Sequence, residues 1–205
     1  MKGLFERYIP LLRHWIWLAP LVLGVIFVAA GGYMILQGQD AKNTVKDQIV
    51  AEQITTSKDA SIPNVLVTNA DTAESQANAI QQHTLTTSDG KTYSQLDRYL
   101  TADGTGTTND AKLAMIGANG KPVANPVRDT AFQGAALRTS LNLAVMGFKL
   151  SDLVIGMGVF MLAIGGTFVL VLSPAVYYTA EMANHHNEIA KKEEKARGQA
   201  LPASS

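Results

Sequence analysis

Two uninterrupted apolar runs, at 17–36 and 154–172, frame a polar or amphipathic middle. The second, VIGMGVFMLAIGGTFVLVL, holds no charged residue, and Lys149 and Asp152 stand just before it. At ~1.5 Å rise per residue, about 20 apolar residues cross a ~30 Å hydrocarbon core, so each run predicts a membrane-spanning helix. One alternative for the first is a cleaved signal peptide, since Val28-Ala29-Ala30 offers small residues after a basic flank. Its apolar character continues through Tyr33, Met34, Ile35 and Leu36, however, which is long for a signal core and favours a retained span.

Ahead of the first run, 1–16 mixes Lys2, Arg7 and Arg13 with large apolar residues. It reads as a basic flank that orients the span, or as a short helix lying in the headgroup layer. Trp15 and Trp17 suit an interfacial aromatic belt. Residues 40–53 have helical composition, with Val45, Ile49 and Val50 on one side, and are expected to carry the first helix out of the membrane. Short extended segments are predicted at 54–56 and 65–68. Asp71-Thr72-Ala73-Glu74 reads as a capping box opening a helix with a narrow apolar face of Ala73, Ala77, Ile80 and Leu85. Asp89-Gly90 marks a turn, and a short element ends near Arg98-Tyr99-Leu100.

Beyond it, the Gly/Thr-rich 101–110 predicts a mobile loop, 111–116 one or two helical turns, and 117–126 irregular chain. From about Thr130 the pattern is helical again, with Leu137, Leu141 and Val145 at i, i+4 and i+8. A long helix is expected to run from there into the second span, with a bend near Gly147. Ser173-Pro174 is expected to end or kink it, and Tyr177 and Tyr178 mark the interface. A Lys/Glu/Ala-rich tail can then be helical, before a disordered LPASS end.

The predicted fold class follows: a membrane protein with two transmembrane α-helices, 17–37 and 153–176, flanking a small extracytoplasmic α or α+β domain, 38–152. The second span is continuous with a long soluble helix. A basic segment, 1–16, precedes the spans and a charged tail, 177–205, follows them. Lys2, Arg7 and Arg13 on one side, and Lys191, Lys192, Lys195 and Arg197 on the other, predict a two-pass protein of the inner (plasma) membrane with both termini cytoplasmic.

Composition narrows the function classes. The 17 basic and 17 acidic residues balance, and no basic stripe with interleaved aromatics suggests a nucleic-acid partner. There are no cysteines, which excludes disulfides, thiolate metal sites and a cysteine nucleophile. The outer domain must therefore hold together by packing, or by leaning on the membrane helices or a partner. No Gly-x-Ser-x-Gly, Walker loop, dinucleotide glycine fingerprint or His-Glu-x-x-His occurs. Neither span contains an ionisable residue of the kind that lines ion or proton pathways. A non-enzymatic protein without cofactor or metal is expected.

Small residues stand seven apart, two helical turns, in both spans: Gly24 and Gly31, Gly158 and Gly165, Gly156 and Ala163. Such pairs suit an oligomer or partner interface within the bilayer, or more simply the packing of these two helices on each other. His185 and His186, with Glu181 and Glu188, have helical metal-ligand spacing but no second ligand set, and read first as a solvated face. His83, near Asp89 and Asp97 in sequence, is a candidate base or pH-sensitive contact, and more simply a hydrogen-bonded packing residue. Arg98, Arg128 and Arg138 read first as salt-bridge partners and second as anion ligands. The candidate binding residues are thus His83, Arg98 and Arg138.

Several stretches resemble a group of bacterial, mainly actinobacterial, two-span membrane proteins. They are Glu52-Gln53-Ile54-Thr55; Gln76-Ala77-Asn78-Ala79-Ile80 with His83 and Leu85; Gly90-Lys91-Thr92-Tyr93 with Leu96 and Arg98; and Leu137-Arg138-Thr139-Ser140-Leu141 leading to Ile155-Gly156-Met157-Gly158. The likeness covers both spans and most of the middle, with 101–123 outside it. Members of that group often carry the label aromatic ring-opening dioxygenase. Extradiol ring cleavage needs iron held by two histidines and a carboxylate. Here 38–152 holds one histidine, and His14, His185 and His186 fall beyond the spans. The resemblance implies a two-span architecture and brings no activity with it. The expected role is an accessory, scaffolding or assembly component that meets the lipid bilayer and another membrane protein, or itself as a homo-oligomer. The alternative is an extracytoplasmic sensor or ligand-binding module coupled to the second span.

Overall fold

The structure, a computed structural model, describes residues 15–200. The basic residues Lys2, Arg7 and Arg13, with His14, and the segment 201–205 lie outside the described residues. Four helices dominate: α1 (Leu18–Ala51), α2 (Ala70–Thr87), α3 (Pro126–Thr167) and α4 (Ser173–Ala200). A 3-10 turn at Tyr93–Gln95 and a two-stranded antiparallel ribbon, β1 (Tyr99–Leu100) and β2 (Thr107–Thr108), lie between α2 and α3. Two helical stretches, Leu18–Ala51 and the run from Pro126, are long and apolar enough to cross a membrane. Only 11% of each apolar window is buried within the protein, which is how a lipid-facing helix differs from the core helix of a soluble fold.

The chain divides into two compact units, Gly38–Leu153 and the flanking residues up to Gln37 and from Val154. In the flanking unit, α1 and α3 approach at backbone distance. A Cβ added at Gly31 would lie 2.6 Å from the Gly158 carbonyl oxygen, and one at Gly165 would lie 2.7 Å from that of Gly24. The two pairs keep one antiparallel register, since each step along α1 is matched by a step back along α3. Beyond the glycines, Ser173 donates its hydroxyl to the Trp17 carbonyl at 3.2 Å, and Trp17 meets Tyr177 edge-on at 5.9 Å.

At the end of this helix pair the chain does not stop at Ser173-Pro174, as the sequence suggested it could. It passes through a π-helical turn, Phe168–Leu172, and continues as α4. The Pro174 ring would collide with the carbonyl four residues back in a regular helix. The π turn, in which the Ser173 amide bonds to the Phe168 carbonyl, widens the backbone just before the proline.

In the middle unit, the upper half of α1, all of α2 and the first half of α3 pack around Phe148 and Val67, both essentially inaccessible. Ile49 from α1, Ala73 and Ala77 from α2, and Leu141, Ala144 and Val145 from α3 complete the core. Alanine on α2 brings helices close, and Gly147 does the same on α3, where an added Cβ would sit 3.0 Å from Val45 Cγ2. α3 remains α-helical through Gly147, so the glycine serves contact rather than a break. Residues 54–56 and 65–67 pair through the Thr56 amide to the Val65 carbonyl (2.8 Å) and the Val67 amide to the Ile54 carbonyl (2.9 Å).

Four local expectations change. The cap of α2 is Asn69, not Asp71: its side chain accepts from the Thr72 amide at 2.9 Å, and the Thr72 hydroxyl oxygen accepts from the Asn69 amide at 3.2 Å. Asp71 falls in the first turn, where its charge suits the helix dipole. α3 begins at Pro126, four residues early, because Asn125 caps it through the Val127 amide at 3.0 Å and proline fits a first helical position. Residues 101–110 hold the turn and second strand of the β1–β2 hairpin instead of a loose loop. Residues 111–113 form a turn and 114–116 are extended rather than helical: Ala114 bridges Thr101 and is buried, and Ile116 bridges Pro122. The small domain is therefore α+β, and its β part rests on backbone pairing that composition does not announce.

Truncating Phe148 to Ala removes the centre of this core and should cost ~3–5 kcal/mol, read as a lower thermal midpoint of the detergent-solubilised chain. Gly31→Ala and Gly165→Ala should each loosen the helix pair. Gly32→Ala and Gly166→Ala, whose added methyl groups meet nothing within 4 Å, should leave the midpoint unchanged or slightly raised.

Candidate functional site

The three candidate binding residues do not converge. His83, on α2, places Nε2 2.6 Å from Asp59 Oδ2, and both side chains are half exposed. That bond, foremost, and the Asp59 backbone amide after it hold the Asp59 carboxyl below its ordinary range. Neither Asp89 nor Asp97 is the partner. Asp97 accepts instead from the Thr107 hydroxyl (2.9 Å) and the Asn109 amide (2.5 Å), which ties β2 to the strand before it.

Arg98 lines a polar recess of about 450 Å³ with Asn109, Gln95 and Arg128. Arg138 lines a separate small recess of about 90 Å³ with Gln81, Thr84 and Tyr93. Among the described residues no arginine pairs with a carboxylate. Arg128 shows why: its guanidinium lies 4.1 Å over the Tyr93 ring and donates to the carbonyls of Tyr93 and Leu96. It caps the end of the 3-10 turn, a backbone demand that no charge pattern reveals. The carboxylates pair with lysine and histidine instead: Lys42 with Asp152 at 2.6 Å and Lys149 with Glu74 at 3.1 Å.

Asp103 is a second surprise of the hairpin. It accepts from the Thr101 hydroxyl (2.6 Å), the Thr105 hydroxyl (2.7 Å) and the Thr105 amide (3.1 Å), and Gly104 beside it takes a φ of +71°. These bonds, the Thr101 hydroxyl first, lower its carboxyl to about 2 although it stands in solvent. The reasons are conformational, and nothing around the residue suggests chemistry.

An open groove of about 510 Å³ lies on the middle unit, between α1, α2 and α3. Val45, Ile49, Ile54, Ile80, Leu137 and Leu141 form its floor and walls, and Gln48, Glu52 and Ser140 stand at the rim. Gln76, also in the lining, spends its side-chain oxygen on the Ser57 amide at 2.7 Å. The groove is apolar because the aliphatic side chains of α1 and α3 supply most of its lining and α2 adds Ile80.

Nothing in three comparisons matches the chain: no family model, no curated protein and no solved structure. The resemblance to two-span bacterial proteins is carried by the residues quoted for it and by nothing else.

The outward face of α3 is the other feature that single-residue reading passed over. Phe132, Ala136, Thr139, Leu143, Met146, Leu150, Leu153, Met157 and Phe160 recur at alternating intervals of four and three, and all are exposed. Phe132 touches the Tyr93 ring (5.6 Å between centroids). The signal was present in the sequence as a seven-residue interval. It was hidden because the inward set, Leu141, Ala144, Val145 and Phe148, overlaps it in the same apolar stretch. Of the small-residue pairs, Gly24, Gly31, Gly158 and Gly165 lie in the α1–α3 contact, whereas Gly156 meets nothing within 4 Å and Ala163 is exposed. His185, His186, Glu181 and Glu188 stand on exposed turns of α4, and among the described residues no group of three metal-ligating side chains gathers.

Two outcomes test this geometry. His83→Ala should leave abundance in the membrane and the thermal midpoint unchanged, because a half-exposed pair contributes little; loss of the protein would give His83 a packing role. The folded Asp103 carboxyl lies below its unfolded value near 3.8, so the hairpin's gain is complete above that value and vanishes as pH falls through about 2. The Thr105 amide resonance should accordingly stay native-like at pH 4, move toward its unfolded position near pH 2, and be displaced at all pH in Asp103→Ala.

Proposed function

We propose that this chain is a non-enzymatic, two-pass membrane protein that serves as an accessory, scaffolding or assembly component of a membrane or envelope complex. In this reading both termini are cytoplasmic, and 38–152 stands outside the inner membrane. One observation carries it. The middle unit leaves large apolar side chains bare, in the groove and along α3, while His83, Arg98 and Arg138 lie on separate surfaces. Contiguous exposed apolar surface marks contact with another macromolecule. A reaction centre would instead gather polar groups in one recess.

A ligand-binding module is the second reading, favoured by the groove itself. Its apolar floor and polar rim suit an apolar molecule or segment, and α3, which contributes Leu137 and Leu141, continues to Thr167 as one helix. The two readings separate on one measurement: the native mass of the chain after gentle detergent extraction from its own membrane, with mass spectrometry of whatever co-migrates. Stoichiometric co-migration with other proteins is expected for an accessory component. A chain that runs alone, or only with copies of itself, would overturn membership of a larger complex and move the question to ligands of the groove.

A further inference from the structure

We infer that the outward stripe of α3 is the contact between two copies of this chain, joined in parallel about an axis along the membrane normal. The inference rests on the membrane reading above and goes beyond it by naming the surface and its occupant.

The stripe is not explained by the chain's own core, nor by lipid. Leu143, Met146, Leu150 and Leu153 remain 68%, 67%, 61% and 58% exposed. Alongside them α1 carries Lys42, Lys46 and Asp47, with Lys42 bonded to Asp152 and Val45 packed at Gly147. A level of the fold that holds these charges sits in water, where four bare large side chains are costly. The four uncover roughly 500 Å² per copy. A symmetric pair would bury on the order of 1,000 Å² from them alone, the threshold for a specific interface. On the same helix Met157 and Phe160 keep the interval and are also exposed.

The occupant follows from register and charge. Alternating steps of four and three give a repeat of 3.5 residues, which a straight helix presents as a slowly drifting seam and a supercoiled partner with the same repeat follows. All copies in one membrane share an orientation, so a second α3 supplies that repeat in matching register. Every stripe position is uncharged, and the flanking Lys149 and Asp152 are already engaged by Glu74 and Lys42 of their own copy. Nothing at the seam calls for a partner of opposite charge. Gly156 and Ala163, beside Met157 and Ile164, leave room for the backbone of a second helix where hydrocarbon gives no hydrophobic drive.

The chain has no cysteine, so single cysteines report directly. Leu143→Cys, Met146→Cys, Leu150→Cys and Leu153→Cys would be compared in full-length chains in native membranes with Leu137→Cys and Asp152→Cys, which are exposed but off the stripe. Added copper phenanthroline with oxygen takes up the two electrons and two protons released as two thiols join. Disulfide-linked dimers at the four stripe positions, at least fivefold above the two controls, are expected. A Leu143→Glu, Leu150→Glu double variant should lower the number of copies of this chain in the extracted complex from two to one while the far-ultraviolet helix signal stays. Equal cross-linking at all six positions, no dimer at any, or adducts to a different protein would overturn the proposal. An alkaline carbonate wash of the same membranes separates the two failures. Release of the chain overturns the membrane reading, whereas retention without dimers overturns only this contact.

Discussion

In hydrocarbon, two apolar helices gain nothing by hiding from solvent, and their contact must come from close packing. The approach of α1 to α3 meets that constraint with glycine opposite glycine, Gly24 against Gly165 and Gly31 against Gly158. Any side chain at these positions would meet the backbone of the facing helix as well as its side chains, and the backbone has no way to give. Leu and Val line the rest of both helices and face outward, as the low burial of both apolar windows requires. The Ser173 hydroxyl on the Trp17 carbonyl and the π turn ahead of Pro174 finish the pairing, each repairing a backbone demand that would be expensive in lipid.

The middle unit solves a different problem with little material. It has no disulfide, and its core rests on one phenylalanine, a few aliphatic side chains and the alanine face of α2. Small residues let three helices come together but enclose little volume, which leaves the groove between them and the bare outer face of α3. Residues 97–125 hold shape by another means: Asp97 and Asp103 accept from side-chain and backbone donors of short extended segments, and Asn125 donates to the Asp97 carbonyl, so the hairpins stand without much buried apolar surface. Arg128 serves the same end by covering Tyr93 and capping the turn before β1.

These features bear on role. A unit whose ionisable residues are used one by one to fasten loops, and whose unused surface is apolar, is suited to contact. Its polar recesses around Arg98 and Arg138 are separate from each other and from the groove. His83 itself is engaged with Asp59.

Sequence alone was enough for whatever depends on long apolar stretches and helical periodicity. The two apolar helices, the continuation of the first through residue 51, the helix over 70–87 and the long helix running on past Thr167 were all legible, because each repeats one signal over many residues. What depended on a single residue's partner was not. Asn69 rather than Asp71 caps α2, Asn125 starts α3 early, Asp103 orders a stretch whose composition suggests mobility, and Arg128 binds carbonyls instead of a carboxylate. The two faces of α3 show the limit most clearly. Leu137, Leu141 and Val145 share one helical row, yet Leu141 and Val145 are buried while Leu137 stays exposed at the groove. Periodicity tells which residues share a face. Which face is covered depends on where the neighbouring helices lie and how far their side chains reach, and periodicity carries neither.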